Sequence, residues 1–168
     1  MSLSCISFWH SASGVVFVLG FFAPLFAQTD CEPPPALKTA VSMDPSSEIH
    51  NAIGGYFAER QESDCAISAF EKSIKLDGEN WESRFNLGLA FANIGKPRQA
   101  VNHLKIATRL RPRFLQAKLV LGFTFLELSD WAAAEISIRE VLQLQPQSSQ
   151  ALYGLAQIRM QQRRYANA

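Results

Sequence analysis

Apolar residues recur along this chain with a helical step, and the helices they define recur with a longer one. From Ser47 onward each block holds two stretches of about fourteen residues whose apolar positions are spaced three and four apart, the pattern of one buried helix face. In one block Phe85, Leu87, Gly88 and Phe91 form the first face, and Ala100, Leu104, Ala107 and Leu110 the second. Gly95-Lys96-Pro97 separates them, with Pro97 placed to open the second helix. Pro112 and Pro146 stop second helices and turn the chain into the next block. Asp44-Pro45 reads as a helix start, a capping acceptor followed by proline at the first helical position.

The longer step is 34 residues. Gly54, Gly88, Gly122 and Ala156 keep it, as do Ala66, Ala100, Ala134 and Ala168, and Ile53, Leu87, Leu121 and Leu155. Phe57, Phe91 and Phe125 follow the same interval, and so do Phe70, Leu104 and Ile138. Gly88 and Ala100 are small because paired helices must approach closely; a large side chain at either costs about 1–3 kcal/mol in overpacking. One helical hairpin cannot bury its apolar face alone, so stacked hairpins share a continuous core. Through these phased positions the chain resembles the tetratricopeptide repeat family over Ser47–Ala168. Three full units (47–80, 81–114, 115–148) are followed by a partial fourth (149–168). The resemblance implies an all-α, right-handed superhelix. Unit 47–80 departs from the pattern, with Gly78 in place of Pro112 and Pro146 and Ser73 in place of Ala107 and Val141. That reads as a solvent-facing cap.

The resemblance also implies a site. First helices in this family line a concave groove that holds a peptide or a partner helix. The matching positions are Asn51, Gly55 and Ala58; Phe85, Leu89 and Ala92; Leu119, Phe123 and Leu126; and Tyr153, Gln157 and Met160. Asn86, Asn93 and Gln116 add polar contacts at the edges. The alternative for these apolar residues is internal packing. One subclass clamps a C-terminal carboxylate with basic residues, but Asn51, Gly55, Asn86, Gln116 and Val120 stand at the matching positions and only Asn86 fits.

The ends of the chain carry separate expectations. No charged residue precedes Asp30, and Gly14–Ala27 is an unbroken apolar run of fourteen residues. That suits a signal-peptide core and is short of the roughly 20 residues of a spanning helix. A signal peptide over residues 1–27, cleaved before Gln28, places the chain in the periplasm or outside the cell; the alternative is an uncleaved membrane anchor over 11–27. Residues 28–46 read as a spacer, stiff and extended through Pro33-Pro34-Pro35. Cys31 and Cys65 remain after cleavage, either bridged or as two unpaired thiols with Cys65 partly exposed. A bridge closes a loop of about 35 residues, worth roughly 4 kcal/mol in the chain-entropy model. At the other end, Gln150–Gln162 can cover Ile138, Val141 and Leu142 with Leu152, Leu155 and Ala156. Its second face, Leu152, Tyr153 and Met160, points to a homodimer or to further repeats.

Composition adds little except where charge is segregated. Net charge is +1, with 48% hydrophobic and 18% charged residues, so neither disorder nor a nucleic-acid partner is argued. Asp44–Glu82 holds nine acids and three bases, whereas Arg84–Lys118 holds eight bases and no acid. Lys96, Arg98, Lys105, Arg109, Arg111 and Arg113 fall on second-helix or turn positions and predict a basic outer patch. It reads as a solvated face or as a dock for an acidic partner, anionic lipid or the acidic unit of a neighbour. His50 and His103 lack metal-ligand spacing and read as solvated. No phosphate loop, nucleophile elbow or zinc motif occurs. The expectation is a non-enzymatic protein-interaction scaffold with no cofactor, no metal and no catalytic residue. The alternative is the docking or regulatory repeats of a larger envelope enzyme or assembly machine.

Overall fold

The computed structural model describes residues 31–166, with side chains through residue 163. The leader read over 1–27, with its anchor alternative, lies outside the described residues. Among those residues there are eight helices and no strand: α1 (Pro35–Met43), α2 (Ser47–Glu59), α3 (Ser63–Leu76), α4 (Trp81–Asn93), α5 (Pro97–Leu110), α6 (Leu115–Glu127), α7 (Trp131–Leu144) and α8 (Ser149–Ala166). The first helices α2, α4, α6 and α8 begin 34 residues apart, as do the second helices α3, α5 and α7. α2, α4 and α6 each pack on their own second helix, and each second helix packs on the next first helix. The result is a helical repeat solenoid.

Every hairpin turns by the same device. The carbonyls of Phe57, Phe91 and Phe125 accept from the backbone N–H of Glu62, Lys96 and Asp130 at 3.0, 2.9 and 2.9 Å. Those of Ala58, Ala92 and Leu126 accept from Gln61, Gly95 and Ser129, each at 3.0 Å. This double bond is the Schellman arrangement, which needs a left-handed residue just past the helix. Gln61, Gly95 and Ser129 supply it, with φ of 62°, 69° and 59°. Only the glycine adopts that conformation without steric cost.

The core is built from small-on-large pairs. A Cβ placed on Gly88 would stand 2.7 Å from Leu104 Cγ, and one on Gly122 would stand 2.7 Å from Ile138 Cγ1. Gly54 faces the Phe70 ring in the same way. Phe70, Leu104 and Ile138 are essentially fully buried, so the three pairs are the interlocking points of the three hairpins.

Four expectations are corrected. The proline segment is extended only as far as Pro34. Pro35 sits in the first turn of α1, where its missing N–H costs nothing, and Leu37 and Val41, one turn apart, pack against the core. Ser73 is not a solvent-facing cap. It is fully buried, and its hydroxyl lies 2.7 Å from the Ser47 carbonyl, 2.9 Å from Ser47 Oγ and 2.6 Å from Ser83 Oγ. Cys65 is buried at 2% exposure rather than partly exposed, and it is disulfide-bonded to Cys31 with a Cα–Cα distance of 5.3 Å. That bridge holds the segment leading into α1 against α3. Finally, α8 covers α7 with Ala151, Gly154 and Ile158, all buried, while Leu152 and Ala156 are exposed. A first helix turns one stripe to the preceding second helix and the next stripe to its own; Leu152 and Ala156 lie on the latter. α8 also runs straight through residue 163, the position at which the three preceding units turn.

Candidate functional site

The first helices lie side by side, and a cleft opens between α6 and α8. There Phe123, Leu126, Glu127, Trp131, Gln157, Met160 and Gln161 enclose about 480 Å³. The repeat dictates this set: Phe123 and Gln157, Leu126 and Met160, and Glu127 and Gln161 are each one period apart, so they face each other across two adjacent helices. Between α2 and α4 the corresponding cleft is lined by Ala58, Gln61, Ser63, Ala66, Ala90 and Asn93. Its walls are short side chains, so that end offers no large apolar anchor.

The groove residues expected from the sequence separate into three groups. Asn93, Gln116 and Tyr153 are exposed, Tyr153 at 61% with its hydroxyl accepting from Gln157 Nε2 at 3.1 Å. Phe85, Leu89, Phe123 and Leu126 are half-buried. Leu119 is core: it is 6% exposed and belongs to the buried cluster with Leu121 and Phe125. α6 has a first helix on each side, which closes over a leucine, whereas among the described residues Tyr153 on α8 has a first helix on one side only. Phe123 has a double part, since a Cβ on Gly154 would meet its Cζ at 3.4 Å; the ring forms a cleft wall and also packs on the α8 backbone. Asn86 is not a free edge contact. Its Nδ2 donates to Asn51 Oδ1 at 3.0 Å and ties α4 to α2. Phe85 stacks edge-to-face on Phe114 at 4.9 Å, and Phe114 does the same with Trp81. Trp131, Glu127 and Gln161 were not expected in the cleft.

The basic residues lie elsewhere. Arg98, Lys105 and Arg109 follow one exposed stripe of α5, with Lys96 just before the helix and Arg111 and Arg113 just after it. All six are exposed and none has an ion-pair partner among the described residues. Arg111 Cζ lies 4.8 Å from the Trp81 ring centre and Lys105 Nζ lies 5.4 Å from that of Phe125, so both cations sit over aromatic rings. Lys118 pairs with Glu140.

Both histidines are half-buried rather than fully solvated. His103 stacks on Phe91 at 5.6 Å, and its buried Nδ1 has no hydrogen-bond partner. Burial, and secondarily the nearby Arg84 charge, holds its pKa below the usual range. His50 is lowered in the same way, first by burial and then by Lys72. Both therefore stay neutral at physiological pH. Among the described residues no cluster of His, Cys, Asp or Glu is arranged to hold a metal, and no helix is long and apolar enough to cross a membrane.

The tetratricopeptide repeat family model matches residues 85–148 and again 124–168, together half of the chain. The chain belongs to the tetratricopeptide repeat family. Its repeats are similar to a stretch of the Drosophila melanogaster Protein O-mannosyl-transferase Tmtc3, with 25% identity over 132 residues. That match covers 78% of this chain and 14% of Tmtc3, so the chain spans about a seventh of that relative. The first tetratricopeptide domain of Spaghetti (RPAP3), solved with the HSP90 peptide SRMEEVD, superposes with a TM-score of 0.66 at 21% identity. The superposition covers 69% of this chain and 92% of that one. The second such domain of human RPAP3, solved with the HSP70 peptide SGPTIEEVD, gives 0.63 at 23%, covering 68% and 98%. The fold is in general that of a non-catalytic interaction scaffold.

Proposed function

We propose that this chain is a non-enzymatic scaffold outside the cytoplasm that receives a peptide or helix of a partner protein along its first helices. The observation that carries this reading is the α6–α8 cleft. It combines Phe123, Leu126, Trp131 and the 71% exposed Met160 with polar Gln157 and Gln161 at the rim, the composition of a pocket for apolar anchor side chains. The Cys31–Cys65 bridge supports an oxidising compartment. Two structural neighbours bound to partner peptides support the peptide mode. The match within Tmtc3 favours one further reading, in which such repeats serve as the docking region of a larger enzyme. Self-association through α8 is a further part of the proposal, supported by exposed Leu152 and Tyr153.

Met160 tests the groove better than Phe123, because it is exposed and its loss leaves the packing intact. Peptides selected by display against the oxidised chain should bind Met160→Ser at least about tenfold more weakly, roughly 1.4 kcal/mol, with an unchanged melting curve. Selected peptides indifferent to both Met160→Ser and Leu126→Ser would place the binding surface elsewhere.

A further inference from the structure

A cavity of about 180 Å³ opens between α1 and the α2–α3 hairpin. α2 and α3 are antiparallel neighbours, so Phe57 and Cys65 lie near the turn, while His50, near the start of α2, lies across from Lys72, near the end of α3. The turn end is apolar, with Ile53, Phe57 and Ala69 as its floor and the Cys31–Cys65 bridge beside them. The polar lining residues are Lys38, His50, Ser68 and Lys72, with no carboxylate among them.

The other units fill the corresponding positions differently. Two periods on, Lys118 and Glu140 stand where His50 and Lys72 do, and they form an ion pair. One period on, the positions hold Arg84 and Ile106, and Arg84 donates to the Gly78 carbonyl instead. Each of those cations thus meets an oxygen of the chain. In the first unit a lysine occupies the place of the third unit's carboxylate. His50, Ser68 and Lys72 accordingly have no side-chain partner among the described residues. The charge that acts on His50 is that of Lys72, which adds to burial in lowering its pKa, and no carboxylate counters it.

Charge and volume narrow the ligand. Lys38 is offset by Glu32 at 2.6 Å and His50 is neutral, so Lys72 leaves one uncompensated positive charge. A cavity of about 150 Å³ holds a benzene ring, so this one takes a body of that size. We propose that the cavity binds a small monocarboxylate with a ring-sized apolar body. Lys72 takes the carboxylate, His50 and Ser68 add neutral donors, and the body lies on Ile53, Phe57 and Ala69. This site is on the α1 side of the first hairpin and does not depend on the first-helix groove.

Phenylacetate, phenylacetamide and phenethylammonium share the ring and differ in the head group, so they separate charge from shape. Each is titrated into the disulfide-bonded full chain and followed by backbone amide NMR shifts. Phenylacetate should bind at least about fivefold tighter than the amide and about tenfold tighter than the ammonium. Its shifts should centre on α1, on His50–Phe57 and on Cys65–Lys72. Lys72→Glu gives the first unit the carboxylate that the third has, at an exposed position. It should weaken phenylacetate by at least about tenfold without lowering the melting temperature. Equal binding of phenylacetate and phenylacetamide overturns the carboxylate assignment. Phenylacetate binding that Lys72→Glu leaves unchanged, shifts centred elsewhere, or no saturable shift with phenylacetate overturns the site.

Discussion

The hydroxyls of Ser73 and Ser83 lie 2.6 Å apart with both side chains fully buried. Proton counting fixes the directions. Ser73 gives its single proton to the Ser47 carbonyl, so it accepts from Ser47 and Ser83, and Asn80 Nδ2 donates to Ser47 Oγ at 2.8 Å. Every member is satisfied, so a single deletion strands its neighbours. Ser73→Ala should destabilise the chain by about 1–3 kcal/mol in urea denaturation. Combining it with Ser83→Ala should recover part of that loss, since the other units carry Ala117 and Ala151 at the Ser83 position.

Left-handed Gln61 and Ser129 carry a cost that Gly95 avoids. Gln61→Gly and Ser129→Gly should each raise stability by about 0.5–1 kcal/mol, the strain relieved less the added freedom of the unfolded chain. Gly95→Ala should lower it by a similar amount. Thermal melts of the three variants check this, and stabilisation by Gly95→Ala would contradict the turn geometry.

Cys31 and Cys65 are 34 residues apart. Reduction should lower stability by about 2–4 kcal/mol, the usual range for a bridge of this kind. Melts of native protein with and without reductant, at constant pH, measure it.

His103 is held neutral, first by burial and then by Arg84. Its folded pKa lies below the unfolded value of about 6.5, so between the two the unfolded chain binds more protons. Stability therefore rises with pH through that window and falls as the solution is acidified below about 6.5. His103→Phe keeps the stack on Phe91 and removes the orphan nitrogen. It should flatten the fall in melting temperature between pH 7 and pH 5; an unchanged slope assigns the acid sensitivity to other groups.

The solenoid was legible because its phased residues mark contacts that geometry allows only in one form. Gly88 faces Leu104, and Gly122 faces Ile138, at distances no side chain larger than glycine's fits. What escaped the sequence depends on neighbours. The αL turn is filled by Gln61, Gly95 and Ser129, residue types too dissimilar to show a repeat. Leu119 and Tyr153 share a phase, yet one is core and the other exposed, because only α6 is flanked on both sides. Ser73 reads as polar and therefore solvated unless Ser47, Asn80 and Ser83, far apart in sequence, are brought together.

The bridge between Cys31 and Cys65 also sets the path of mechanical load. Tension applied to the chain ahead of Cys31 passes through the sulfur atoms directly into α3, in the middle of the first hairpin. α1 and α2 lie inside the closed loop and bear none of it. A tether pulled from that side therefore stresses α3 and the units beyond it while the groove-lining face of α2 stays in place. With the bridge reduced, the same pull peels α1 first and α2 next.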